Sequence, residues 1–155
     1  MGVFSSGGIG IDMGSGSTAV YLENEGVKLR EPTCALVNRE NASDVLALGR
    51  DAQRMAGRTD DASILVAPVI DGGVADSELA AILMLSVAEK ACEKRRPFEK
   101  SRLAVTVPHG ATRVERAALA TATGLAGAKK ALIVKAPVAA AIGAGVRIDR
   151  PQGVL

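Results

Sequence analysis

Among the stretches of this chain whose residue types and spacing suit chemistry, the first is Ile9 to Leu22. An apolar run ends at Asp12, passes through Gly14-Ser15-Gly16, and re-emerges as Ser17-Thr18-Ala19-Val20-Tyr21-Leu22. Two strands joined this tightly make a hairpin. Its tip offers glycine N–H groups and small hydroxyls, a cradle for phosphate oxygens. Asp12, ending the first strand, is placed to hold a hydrated Mg²⁺, an ion that keeps several waters and takes few carboxylates. The lettering from Gly14 to Ala19 also fits a dinucleotide fingerprint, which needs its glycines to open a helix. Here they open Ala19-Val20-Tyr21-Leu22-Glu23, β-branched and aromatic in character, so a Rossmann site is excluded. No Walker-type Gly-Lys-Ser/Thr occurs. On residue types alone, a glycine-rich hairpin without a ligand fits equally well.

The remaining reactive residues are sparse. His109 is the only histidine and lies in a Pro-His-Gly turn, with no partner in the sequence to make it a catalyst. Asp71 and Asp76 read as turn and helix-cap residues. Cys34 and Cys92 have neither metal-ligand nor disulfide-framework spacing, which suits a reducing cytosol. The segment Lys94 to Arg102 carries five bases and one acid around Phe98. With Arg95, Arg96 and a projecting Phe98 it suits an anionic membrane surface, at about 1 kcal/mol per well-placed base. A solvated loop with Phe98 folded back onto the protein fits as well.

These residues need a scaffold, and the composition limits its kind. At 155 residues with 48% apolar content, the chain suffices for one domain with a core. Aromatics are 2% and Trp is absent, so the core rests on Ala, Val, Leu and Ile. The net charge of +2, with both signs mixed along the chain, gives no nucleic-acid footprint. No apolar run approaches a membrane span, and the N-terminus lacks the features of a signal peptide, so a cytoplasmic chain is expected. After the hairpin, residues 26–31 read as a third strand, and 33–38 and 45–48 as two more. A short helix follows at 49–56, so 33–75 looks like a small inserted lobe. A turn at 71–76 leads to a helix over 77–94, a strand at 103–107, a helix at 111–123, and a strand at 131–134. Last comes a small-residue helix over 138–144 opened by Pro137. Three strands, an insert, then alternating helices and strands predict an α/β fold, a mixed sheet with helices against its faces.

Four blocks make the chain resemble the N-terminal half of the bacterial actin-like MreB family, within the actin and Hsp70-type ATPase superfamily. They are Gly10 to Thr18, Leu29-Arg30-Glu31-Pro32-Thr33, Asp71-Gly72-Gly73-Val74-Ala75-Asp76, and a long block from Val107 to Gly145. The long block includes Val107-Pro108-His109-Gly110-Ala111-Thr112-Arg113-Val114-Glu115-Arg116, Gly127-Ala128-Lys129-Lys130 and Pro137 to Gly145. The resemblance implies an actin-like (ribonuclease H-like) domain I over residues 1–155, with 33–75 as its subdomain. It implies ATP and Mg²⁺ in a cleft, with Asp12 on the metal side and Gly14, Ser15, Gly16, Ser17 and Thr18 as the phosphate loop. It further implies homologous actin-like subunits as filament partners, contact with the inner membrane and the cell-wall synthesis complex, and a role in rod shape. The family's loop corresponding to 94–102 can present hydrophobic residues to the bilayer.

Departures from the family pattern temper the expected activity. The family's second phosphate loop and second nucleotide-binding domain do not follow within this sequence, so a truncated module binding ATP weakly or not at all is expected. The family usually places Glu immediately before the proline of the last helix, where it orients the attacking water. Here that residue is Ala136, which can neither accept a proton nor position water, so hydrolysis is expected to be impaired. Lys135 beside it can touch a phosphate but is no base while protonated. Met13 replaces the usual Leu, a change compatible with phosphate binding. Residues 138–144 suit the hinge between two family domains, and an exposed face there predicts marginal stability or self-association. The alternative readings are a half-actin that binds or caps filaments of a full-length homologue without nucleotide, and a non-functional gene fragment.

Overall fold

The computed structural model describes residues 7–58 and 61–150. In chain order the strands are β1 (Gly8–Met13), β2 (Ser17–Leu22), β3 (Gly26–Pro32), β4 (Ala35–Asn38) and β5 (Val45–Leu48). Helix α1 (Gly49–Met55), strands β6 (Ser63–Val66), β7 (Val69–Ile70) and β8 (Gly73–Val74), and helix α2 (Ser77–Cys92) follow. A 3₁₀ turn at Pro97–Glu99 precedes β9 (Arg102–Val107), α3 (Arg113–Leu125), β10 (Ala131–Lys135) and α4 (Ala136–Gly143).

Period-two alternation makes the main sheet. Ile9, Ile11 and Met13 of β1 are buried, while Gly8, Gly10 and Asp12 point to the other face. The strand order is β10-β9-β1-β2-β3. Pairs β1/β2 and β2/β3 are antiparallel, and β1/β9 and β9/β10 are parallel, so the sheet is mixed as expected. On its inner face Ile11, Val20, Leu103 and Val105 pack with Leu83, Met84 and Val87 of α2 and Leu119 of α3. Each fully buried side chain of this kind contributes about 1.5–3 kcal/mol. Asp76 caps α2 by accepting the Leu79 N–H at 2.9 Å. Thr112 and Glu115 close a reciprocal capping box at the start of α3.

A separate three-stranded sheet, order β5-β4-β6, holds the lobe. Its central strand buries Ala35, Leu36 and Val37. Four sequence expectations are revised. Strand β6 is an addition to the expected elements, because the apolar run Ile64-Leu65-Val66 is short and shows no alternation. Residues 71–76, expected as a plain turn, contain β8, with Asp71 and Gly72 both at positive φ between β7 and β8. This is the arrangement of a tight primed hairpin turn. Helix α2 stops at Cys92 because Glu93 adopts a left-handed conformation, φ 51°. Pro137 occupies the second position of α4, behind Ala136.

Candidate functional site

Strands β1, β9 and β10 run parallel, so their carboxyl ends meet at one edge of the sheet. In open α/β sheets this edge is where ligands settle. Asp12, Thr106 and Lys135 all lie there, together with the first residue of α4 and the β1–β2 turn. Asp12 is exposed on the outer face, and Thr106 donates a hydrogen bond to its carboxylate. The two line a groove of about 720 Å³ between the sheet and α4, with Ala19, Arg30, Val134 and Ile142 also on its walls.

The hairpin turn is fixed from several sides. The Gly14 N–H donates to the Ser17 carbonyl at 3.0 Å, closing the turn, and the Thr33 N–H donates to the Gly16 carbonyl at 3.2 Å. Ser15 Oγ accepts from the Gly72 N–H at 2.9 Å, which ties the tip to the β7–β8 hairpin. A hydroxyl that accepts one bond keeps its own proton for donation to an incoming oxygen. Ser15 and Gly16 are exposed at the tip, and Ser17 Oγ accepts from the Arg30 guanidinium at 3.2 Å. Gly72 itself allows no side chain, since a Cβ there would stand 2.5 Å from Pro108 Cγ.

Thr18 is the exception within the expected phosphate loop. It is 0% exposed, and its hydroxyl bonds that of Thr33 at 2.8 Å on the buried side. Within the expected loop, the Thr18 hydroxyl is thus turned away from the cradle and toward the core. Alternation explains the difference, because Thr18 is one step from Ser17 and so faces the core. Ala136 is the first residue of α4 and half-buried at the same edge, presenting only a methyl group. His109 is exposed in the turn between β9 and α3. Cys34 and Cys92 are free thiols. Burial raises both thiols above their ordinary range, with Glu31 adding to the effect at Cys34.

The basic loop takes the folded-back form. Phe98 is 3% exposed and belongs to the main core, correcting the expectation of a projecting ring. Packing against the sheet gains more than exposing an aromatic on a loop. Arg95 and Arg96 remain exposed, and Arg96 pairs with Glu99 at 3.3 Å. Among the described residues, no helix is long and apolar enough to cross a membrane.

Sequence reasoning missed two residues at this site. Arg30 and Thr33 stood in a family block and in two strands, without a role at the site. Strict alternation puts Arg30 and Glu31 on opposite faces, a signal available in the sequence. The Thr18–Thr33 bond spans two strands and carries no local signal.

A match to the family described as MreB/Mbl protein covers residues 6–155. The chain is 34% identical over 145 residues to the cell shape-determining protein Mbl of Bacillus subtilis, covering 94% of this chain and 43% of that protein. It is 32% identical over 155 residues to the cell shape-determining protein MreB of Escherichia coli, covering 98% of this chain and 44% of the relative. The crystal structure of Spiroplasma citri MreB5 bound to AMPPNP superposes with a TM-score of 0.81 at 30% identity, over 96% of this chain and 44% of the other. The same protein bound to ADP gives a TM-score of 0.80. The chain thus spans less than half the length of these relatives and corresponds to their N-terminal part. With the actin-like sheet, the turn and the Asp12 edge all in place, this chain belongs to the MreB/Mbl family.

Proposed function

We propose that this chain supplies the phosphate-and-metal side of a nucleotide site in a cell-shape filament protein. The observation that carries the reading is Asp12, exposed at the carboxyl ends of three parallel strands and flanked by an exposed Ser15-Gly16 turn. A single carboxylate held by Thr106 fits a Mg²⁺ that keeps most of its water shell. A Mg²⁺ held by Asp12 would supply charge neutralisation at the terminal phosphates. The Ser15 and Gly16 backbone N–H groups and the Ser15 and Ser17 hydroxyls orient phosphate oxygens, while the Gly14 N–H closes the turn and Thr18 and Thr33 hold it rigid. Ala136 supplies no base, so the chain's own chemistry is binding rather than hydrolysis. Residues 33–75 form the inserted subdomain of this actin-like domain I, and homologous subunits are its filament partners in the cytoplasm.

The test is isothermal calorimetry of Mg²⁺-ATP with this chain and with Asp12→Ala. Saturable binding lost in the variant supports the reading. Equal binding by both proteins moves the metal elsewhere, and no heat from either favours a nucleotide-independent filament-binding role.

Peripheral contact with the inner membrane and its cell-wall synthesis complex is retained in reduced form. The exposed cations Arg95 and Arg96 attract anionic headgroups, whereas the buried Phe98 adds no insertion. Co-sedimentation with anionic vesicles should fall for Arg95→Glu/Arg96→Glu and lose its dependence on lipid charge. Retention of full binding by that variant would remove membrane contact from the proposal.

A further inference from the structure

We propose that Arg30 is a phosphate-binding side chain of this groove, an inference that rests on the nucleotide reading above. Strand register carries the argument. Asp12 of β1 pairs with Ala19 of β2, and Ala19 pairs with Arg30 of β3. The three residues form one row across the outer face, with Thr106 bonded to Asp12 on its far side. The middle position is occupied by a methyl group. A guanidinium on a long flexible stem can extend past this small residue toward the turn, and it reaches Ser17. Arg30 Nη1 donates to Ser17 Oγ, beside the cradle.

The groove's lining sharpens the assignment. Its residues include one carboxylate, Asp12, and one cation, Arg30, on otherwise apolar or small walls. Lys135, the cation singled out from the sequence, is not among them. A register shift between Val20 and Tyr21 brings Val27 and Arg30 to the same face, so the cation's position depends on a bulge in the strand pairing. A guanidinium presents five N–H donors in a planar fork and stays protonated at all working pH values. The bond to Ser17 engages one of them. The others match two oxygens of one phosphate, the bidentate geometry in which Arg exceeds Lys. Asp12 and Arg30 then divide the ligand's polyanion between them. The carboxylate takes the metal and its waters, and the guanidinium takes phosphate oxygens directly.

A solvated arginine guarding an edge strand is the competing account, since charged residues on edges suppress strand pairing. NMR titration separates the two with wild type, Arg30→Ala, Arg30→Gln, Arg30→Lys and Asp12→Ala, read on backbone amides of residues 14–19. The probes are Mg²⁺-ATP, Mg²⁺-tripolyphosphate and AMP. Arg30→Ala is expected to weaken ATP and tripolyphosphate by about tenfold while leaving AMP little changed. Arg30→Gln keeps a donor for Ser17 but has no charge, so it should bind as poorly as Arg30→Ala. Arg30→Lys should recover only part of the loss. Unchanged affinity in Arg30→Ala, with binding lost in Asp12→Ala, overturns the role of Arg30 and leaves the nucleotide reading intact. Full rescue by Arg30→Gln also overturns it, by assigning Arg30 to turn support. Absence of any saturable shift in the wild type removes both.

Discussion

Glu31 brings a carboxylate into the interior, 6% exposed, where it would be costly without partners. It accepts the Arg50 N–H at 2.7 Å, at the start of α1, and lies 3.7 Å from Lys90 of α2. Gly49 makes this approach possible, with φ +59° and a hypothetical Cβ only 2.8 Å from Glu31 Oε2. Gly49→Ala should therefore destabilise the protein by about 1–3 kcal/mol, combining left-handed backbone strain with crowding of a buried carboxylate. Urea unfolding would measure it. Thr33→Val leaves the buried Thr18 hydroxyl without its partner and should cost about 1–3 kcal/mol. The same variant should loosen the hairpin turn, seen as faster amide exchange at Gly14 to Ser17. Exchange unchanged there would separate the Thr18–Thr33 bond from the rigidity of the turn.

At the level of elements, α3 is held at its start by Thr112 and Glu115. Glu115 accepts the Thr112 N–H and its hydroxyl, at 2.6 and 2.8 Å. The backbone bond first, and the hydroxyl bond second, hold the Glu115 carboxyl below the usual glutamate range. A carboxyl lowered by folding stabilises the native state above its ordinary titration range. That contribution disappears as pH falls through the lowered value. Acidification should therefore fray α3, and Glu115→Gln, which preserves a capping box, should flatten the pH dependence. Thermal melts on acidification of both proteins would show it, and parallel curves would exclude Glu115 as the source. The loop between α2 and β9 behaves differently. Phe98→Ser removes a buried ring and should cost about 3–5 kcal/mol, so its effect on membranes would report unfolding rather than lost insertion. Helix α4 buries none of its residues fully, and Ile142 is 54% exposed.

For the molecule as a whole, the groove has the sheet and α4 as walls and opens toward solvent beyond Ile142 and Tyr21. Ligand pockets that bind tightly enclose most of their ligand. One-sided contact leaves much of a nucleotide hydrated, so this chain should bind Mg²⁺-ATP with a Kd of about millimolar, or −4 kcal/mol. Calorimetry returning micromolar affinity would show that the groove closes around its ligand. The exposed outer face, with Tyr21, Leu132 and Ile142, also predicts concentration-dependent association. Sedimentation velocity over a concentration series would reveal it, and a monomer throughout would refute it.

The sequence by itself determined the main elements and the place of the candidate site. Alternation in β1, the turn glycines, the Asp76 cap and the apolar spacing of α2 are local properties, written within a few residues of where they act. Family motifs then located Asp12 and the turn on that scaffold. Tertiary structure alone decided which groups face the groove. Pairing across strands turned Thr18 toward Thr33, brought Arg30 to Ser17, and joined Ser15 to Gly72, 57 residues away. It also folded Phe98 into the core, because the apolar surface that receives it is assembled from distant elements. Such contacts depend on register and on burial against remote partners, which no short window of residues contains.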